Sequence, residues 1–166
     1  MSLFFKTAHP RSGNIHATFF DAARRNKEGY FTMGQLINTE VIHECTRLSF
    51  EQLGTFPEIV KRLSASGIER YRADLIRREK TYYDAHGNSH TESQPLEAYP
   101  ISDKFSAADL KIALRAVQNK ETGYRQFVMR IMAAGVASYT VFLAGRRAVY
   151  VGRHGDLHVE LFPTTT

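Results

Sequence analysis

The sequence lacks most features of a secreted or membrane-spanning chain. A single cysteine, Cys45, excludes an intramolecular disulfide and favours a reducing, cytoplasmic setting. No apolar run approaches the roughly 18 residues needed to span a membrane. The longest apolar run near the start, Leu3-Phe4-Phe5, is too short for the core of a signal peptide. We therefore expect a cytoplasmic protein that makes no membrane contact.

Motifs that would identify an activity are also missing. The sequence contains no glycine-rich phosphate loop, no paired-cysteine zinc spacing and no nucleophile elbow. The formal net charge of +5 is a mild basic bias, which permits a nucleic-acid partner without indicating one. The sequence therefore predicts no cofactor and no metal ion, and it favours a non-catalytic protein.

A repeat dominates what the sequence does contain. At an offset of 68 positions, residues 56–95 align without a gap with residues 124–163, and 13 of the 40 pairs are identical. We interpret this match as an internal duplication. Two copies are too few for a solenoid, so a compact domain with a pseudo-twofold axis is expected.

Each copy has the pattern of two helices followed by strands. Capping signals begin at Thr32, Thr55 and Ser106, and period-two alternation follows the shared glycines Gly67 and Gly135. These glycines are predicted to end helices in the left-handed conformation. The first helical region is predicted to be longer in the first copy, so that the two copies are out of register there.

The predicted fold is α+β. Two helix-helix-β units, at about residues 30–95 and 104–163, form one mainly antiparallel sheet of up to six strands, with helices against one face. Residues 30–166 are one domain, and residues 1–29 are an N-terminal extension. An added segment and a free sheet edge together make a homodimer an expectation.

The last strands of the two copies differ in composition. Residues 89–93 contain no apolar side chain, which predicts an edge strand or a loop. Leu157, Val159 and Leu161 alternate with polar residues, which predicts a better buried strand in the second copy.

Several segments together resemble a known family. They are FTMGQL, FPEIVKRLSASGIERY, TYYDAHGN, FVMRIMAAGV and AVYVGRHGDLHVELFP. They are similar to bacterial and prophage proteins described as phage envelope protein-like domains of unknown function, over about residues 30–163. The resemblance implies an α+β domain of phage origin, and it brings no activity, cofactor or catalytic residue.

Two His-x-Glu pairs are the candidate catalytic residues: His90 with Glu92, and His158 with Glu160. Residues two apart on a strand project from the same face, and an imidazole beside a carboxylate can bind a metal ion or exchange a proton. Polar residues on the wet face of a strand would give the same pattern. We predict that the four residues do not share an ion.

Basic residues fall where each hairpin is expected to turn, and they are the candidate binding residues: Arg77, Arg78, Lys80, Arg146 and Arg147. Two arginine-bearing tips related by the pseudo-twofold axis would suit phosphates or an acidic partner. The alternative is a solvated turn whose charges discourage strand pairing.

Other chemically interesting side chains have simpler interpretations. The tyrosine pairs Tyr71/Tyr139 and Tyr82/Tyr150 are predicted to pack in the core. Cys45 lies on an apolar helical stripe and is predicted to be a small buried hydrophobe.

Three functions remain open. The first is a phage-derived binding or accessory protein without catalysis. The second is a small metal-dependent or acid/base hydrolase that uses the His-x-Glu faces. The third is a weak nucleic-acid binder that uses the basic tips.

Overall fold

The computed structural model describes residues 36–163, which form four helices and six strands. In chain order the elements are α1 (Thr39–Phe50), α2 (Phe56–Ala65), β1 (Ile68–Asp74), β2 (Glu79–Asp84), β3 (Ser89–Ser93), α3 (Ala107–Gln118), α4 (Tyr124–Ala133), β4 (Val136–Phe142), β5 (Arg147–Gly152) and β6 (Leu157–Leu161). The α+β class is therefore confirmed.

The second five elements repeat the first five at a constant offset of 68 residues, at every start and every end. The predicted difference in register at the first helix is therefore wrong. Asn38 caps α1 by accepting a hydrogen bond from the Val41 amide, at the position equivalent to Ser106, which caps α3. The capping signal at Thr32 and the extension at residues 1–29 lie outside the described residues. The common offset agrees with the repeat, and the duplication remains our interpretation.

The six strands form one antiparallel sheet in the order β3-β2-β1-β4-β5-β6. The two repeats meet at the centre, where β1 pairs with β4. Arg72 pairs there with Thr140, its own counterpart 68 residues later. The central pairing is therefore symmetric about this residue pair, and the third strand of each repeat lies at an outer edge of the sheet.

One face of the sheet packs on the helices, and no other described helix or strand covers the opposite face, which is called the open face. The helix-facing strand residues include the four predicted core tyrosines, Tyr71, Tyr82, Tyr139 and Tyr150, all of which are buried. Cys45 is buried on α1, as its apolar stripe predicts. The core is thus a single layer between helices and sheet, and it holds the helix-facing side chains of both repeats.

The last strand, β6, is placed differently from the prediction. It is an edge strand with the same burial pattern as β3. Leu157, Val159 and Leu161 lie on the open face and are exposed, whereas His158 and Glu160 lie on the helix side and are half-buried. The prediction of a better buried strand is therefore wrong, because alternation separates two faces without showing which one the helices cover.

None of the described helices is long and apolar enough to cross a membrane.

Candidate metal centre

The two His-x-Glu pairs lie at opposite edges of the sheet. His90 and Glu92 are on β3 at one edge, and His158 and Glu160 are on β6 at the other. With four strands between them, they cannot bind a common ion, as we predicted. Both pairs face the helix layer, however, so the interpretation of a wet outer strand face is wrong for each of them.

A third ligand-type residue joins the first pair. His43, on α1, brings its ring to His90 and Glu92, and one ligand atom from each residue lies within 4.8 Å of those from the other two. The His43 Nδ1 lies 2.7 Å from Oε1 of Glu92. The rings of His43 and His90 meet edge to face, with centroids 5.6 Å apart. In the described part of the chain, this is the one such group of three potential metal ligands.

Glu92 is held by hydrogen bonds on both carboxylate oxygens. The Thr46 hydroxyl donates to Oε2 at 3.0 Å, and Oε1 faces His43. The hydroxyls of Tyr82 and Thr46 are 3.4 Å apart. Because the Thr46 proton is used on Glu92, the Tyr82 hydroxyl is the donor in this second contact. The two successive hydrogen bonds, from Tyr82 to Thr46 and from Thr46 to Glu92, therefore hold the Glu92 carboxylate in place from the buried side.

His90 has an unsatisfied ring nitrogen. Its Nε2 is buried, and no described residue makes a hydrogen bond to it. A buried polar atom without a partner is costly and calls for an explanation, such as an ion or water in the native protein. His43 is the accessible member, with 60% of its side chain exposed, against 14% for Glu92. The site therefore has a fixed wall on β3 and an open side at His43.

The second repeat does not reproduce this group. Lys111 occupies the position of His43, and Leu114 that of Thr46, in each case 68 residues later. There the Glu160 carboxylate accepts from Gln118 at 3.3 Å and lies 3.4 Å from Nε2 of His158. The identical His-x-Glu pairs thus have different helix partners, and within residues 36–163 only the first pair meets another imidazole.

A buried lysine stands opposite Glu92. Lys80 pairs with Glu92 across β2 and β3, and only 4% of it is exposed. Its Nζ lies 4.4 Å from the ring centroid of Tyr124 and 5.2 Å from that of Tyr71. Burial lowers the pKa of Lys80 to about 8, although the Glu92 carboxylate acts in the opposite direction. Its assignment to an exposed basic tip is therefore wrong.

Burial has the opposite effect on the neighbouring phenols. Loss of solvation raises the pKa of Tyr71, Tyr124 and Tyr139 well above the ordinary value. The Tyr124 and Tyr139 hydroxyls are 2.8 Å apart. These side chains are neutral packing groups, which agrees with the core role predicted for Tyr71 and Tyr139.

The basic hairpin tips are not neighbours. Because β1 and β4 are antiparallel, the turn after β1 and the turn after β4 lie at opposite ends of the sheet. Arg78 and Arg146 donate to the carbonyls of Leu96 and Pro163, at 3.4 and 2.9 Å. They brace the chain that follows the third strand of each repeat. This structural role accounts for their identity in both copies.

The remaining tip residues also have local partners. Arg77 pairs with Glu79, and the Nε of Arg147 donates to the Gly145 carbonyl at 3.2 Å. The structure therefore does not form one phosphate clamp from the two tips. A nucleic-acid role for the exposed tip arginines stays a prediction.

His43 is the candidate ligand that the sequence analysis did not identify. It lies on the exposed face of α1, two positions from buried Cys45, and its sequence neighbours contain no metal-ligand spacing. The only available signal was indirect: a histidine in the helix that would cover the His-x-Glu strand. Using it required knowing that β3 lies at the sheet edge beneath α1.

The three residues suit a divalent transition metal. Imidazole and carboxylate groups bind Zn²⁺ at about 2.0–2.2 Å, and iron or manganese accepts the same ligands. Ligand atoms around a tetrahedral ion are about 3.4 Å apart at such bond lengths. The present spacing, within 4.8 Å, therefore requires only small side-chain movements. Three protein ligands leave at least one coordination position for water or another molecule.

In comparisons with known proteins, the chain is similar to mycobacterial proteins described as uncharacterised. No protein family's sequence profile matches it. It is 28% identical over 106 residues to an uncharacterised protein of Mycobacterium bovis and to uncharacterised proteins of two Mycobacterium tuberculosis strains. The match covers 63% of this chain and 65% of each relative. The resemblance to phage envelope-like proteins therefore stays a prediction.

Proposed function

We propose that this protein is a binding protein whose ligand is a divalent transition-metal ion, held by His43, His90 and Glu92. Two observations carry the proposal: the Nε2 of His90 is buried without a hydrogen-bond partner, and one ligand atom from each of the three residues lies within 4.8 Å of the others. A metal bond would satisfy this nitrogen and replace the contact between His43 and Glu92.

The surroundings support binding in two further ways. Thr46 holds the carboxylate from behind, as outer hydrogen bonds commonly do for metal ligands. The exposed ring of His43 gives an ion a route from solvent. The Lys80 ammonium acts against binding, because it repels a second positive charge nearby. Burial lowers its pKa to about 8, so that this repulsion weakens only as the pH rises above that value.

A hydrolytic role is the second candidate. It rests on the open side of the site, because a metal with three protein ligands can bind and activate water. The reaction would depend on the metal-bound water as its nucleophile. Metal binding alone is therefore the primary proposal.

A zinc titration tests the site. Untagged protein, dialysed free of metal, should bind one Zn²⁺ per chain by calorimetry, and zinc should raise its thermal midpoint. A ligand at a hundredfold excess over Kd stabilises the folded state by about 2.7 kcal/mol. His43→Ala should abolish both effects without harming the fold, because His43 is largely exposed.

Matched histidine variants serve as controls. His86 is an exposed turn residue, and His158 occupies the equivalent strand position at the far edge. His86→Ala and His158→Ala should keep the full zinc response, and His158→Ala should change stability by less than about 1 kcal/mol. Equal loss of zinc binding in these controls, or no loss in His43→Ala, contradicts the proposed site.

A further inference from the structure

The face of the sheet that the helices leave uncovered carries a row of alternating aromatic and arginine side chains. Tyr83 on β2 pairs with Arg70 on β1, Arg70 pairs with Phe142 on β4, and Phe142 pairs with Arg147 on β5. Directly paired residues project from the same face. Four planar groups therefore lie side by side, with about 4.8 Å between neighbouring strands.

These side chains are accessible. Phe142 is 36% exposed, which is unusual for an aromatic residue in the middle of a sheet. Arg147 is exposed, and so is Arg72, which lies two residues from Arg70 on the same face. Their sequence neighbours Tyr71 and Val141 point into the core. The row is therefore held on a rigid sheet rather than on a loop.

The charge of the open face changes along the strands. The Arg70 guanidinium lies 4.5 Å from the Tyr83 ring centroid, and Arg70 also pairs with Glu69. The carboxylates of Asp74 and Glu79 lie about 13 Å further along β1, at the other end of the sheet, where one arginine, Arg77, pairs with Glu79. The aromatic end is therefore the basic end, which complements a polyanion.

We propose that this face binds single-stranded nucleic acid. Unpaired bases stack on exposed aromatic rings, while arginines bind phosphates and can stack on bases themselves. Phe142 and Tyr83 would supply the stacking surfaces, and Arg70, Arg72 and Arg147 the cationic groups. A duplex would not offer its base faces to this row. The site is distinct from the metal centre, which lies on the opposite face of the sheet.

A second copy of the chain is the competing occupant. Val149, Val159 and Leu161 border the row on β5 and β6 and would bury apolar area in a dimer. Such a dimer would also take the arginines of both copies out of water, which costs free energy unless each finds a partner. The alternation of rings and guanidinium groups favours the polyanion.

Fluorescence anisotropy with labelled oligothymidylate and oligouridylate of about 12 nucleotides tests the proposal, at low and at moderate salt. The double variant Arg70→Gln/Arg147→Gln should weaken binding at least about tenfold. It should also make the slope of log K against log salt concentration shallower by about 1.4, because each lost phosphate contact on a single strand accounts for about 0.7. Phe142→Leu should weaken binding about fivefold or more with the slope unchanged, since it removes stacking and no charge.

Matched variants locate the site. The double variant Arg77→Gln/Arg115→Gln removes the same amount of charge, from the turn at the far end of the sheet and from α3. It should weaken oligonucleotide binding much less than Arg70→Gln/Arg147→Gln does. Glu69→Gln should tighten binding, because it removes the carboxylate that pairs with Arg70. Thermal midpoints of all variants show whether they fold.

Three results would overturn the proposal. One is the absence of binding at low salt. Another is equal weakening by the two arginine double variants, which would indicate general attraction to a basic protein. The third is a dimer in sedimentation that Phe142→Leu dissociates, in a chain that binds no oligonucleotide. That outcome would assign the open face to self-association.

Discussion

Gly67 and Gly135 have equivalent positions and almost the same backbone, with φ of +86° and +88°, but their surroundings differ. A Cβ on Gly67 would meet nothing within 4 Å. A Cβ on Gly135 would lie 2.5 Å from the Lys104 carbonyl oxygen and 2.8 Å from the Phe105 Cα. Both glycines are needed for the left-handed helix ending, as predicted, and Gly135 is also needed for the close approach of the linker backbone.

Alanine at the two glycines should separate these effects. Gly67→Ala should lower the free energy of unfolding by about 1–2 kcal/mol, the cost of a left-handed conformation with a side chain. Gly135→Ala should lower it by clearly more, because backbone atoms cannot move aside cheaply. Urea unfolding of both variants measures the difference. Equal losses would show that the linker adapts to the added methyl group.

Lys80 makes stability depend on pH. Its pKa is about 8 in the folded protein and about 10.4 in an unfolded chain. Between these values the unfolded state holds more protons, so stability should rise as pH increases from 8 towards 10.4. The burial of this charge costs about 3 kcal/mol below pH 8, at 1.36 kcal/mol per pKa unit.

Lys80→Met should therefore stabilise the protein at pH 7 and lose this advantage near pH 10. Methionine keeps an unbranched side chain and carries no charge. Urea unfolding of both proteins at several pH values gives the difference in their free energies of unfolding. The titration of Cys45 and the tyrosines is common to both proteins and cancels in this difference. A difference that stays constant from pH 7 to 10 would show that Lys80 titrates normally.

At the scale of elements, the second repeat offers a test of how the metal site is built. α3 and β6 stand in the same sequence relation as α1 and β3, and His158 and Glu160 are already on the helix side. Among the three ligand positions only the helix position differs, with Lys111 in place of His43. Behind the carboxylate, Leu114 also replaces Thr46, which donates to Glu92 in the first repeat. One substitution should then be enough to complete a second group of ligands.

Lys111→His should raise zinc stoichiometry from one to two ions per chain in calorimetry. Ile112→His is the matched control, since Ile112 is also exposed on α3 but is one position away on the helix surface. It should leave the stoichiometry at one. Two ions in the control, or one in Lys111→His, would mean that the helix position does not decide which repeat binds metal.

Much of the element pattern was predictable, because local signals are strong in this chain. Ser106 caps α3, and Thr55 forms a capping box with Glu58 at α2, as the sequence indicates. The start of α1 was not predictable from the box at Thr32, since Asn38 is the residue that caps it. Several capping residues compete in that segment, and the repeat offset was the better guide.

The inward face of β6 and the position of His43 were beyond sequence reasoning for a common reason. Both depend on which helix covers which strand. Leucine and valine normally mark the buried face, yet Leu157, Val159 and Leu161 are on the open face of β6. The alternation of apolar and polar residues along β6 does not show that the helices cover the face with half-buried His158.

At the scale of the whole molecule, the sheet is made of two hairpin-connected halves joined at one seam. Within each repeat, every strand pairs with its neighbour in sequence. Only the pairing of β1 with β4 joins strands of different repeats. Each half can therefore form its strand pairs from residues that are close in sequence. Pairing β1 with β4 closes a much longer loop, which costs more conformational entropy, and we therefore expect it to form more slowly.

The symmetric seam at Arg72 and Thr140 has a consequence for chains at high concentration. Residues 94–106 connect the repeats, and nothing in the β1–β4 pairing requires that both strands come from one molecule. Two chains that open at this connection can exchange their second repeats and recover the native contacts outside the connection itself. Concentrated refolding therefore offers a route to an exchanged pair in which each proposed metal site, built wholly from the first repeat, stays intact.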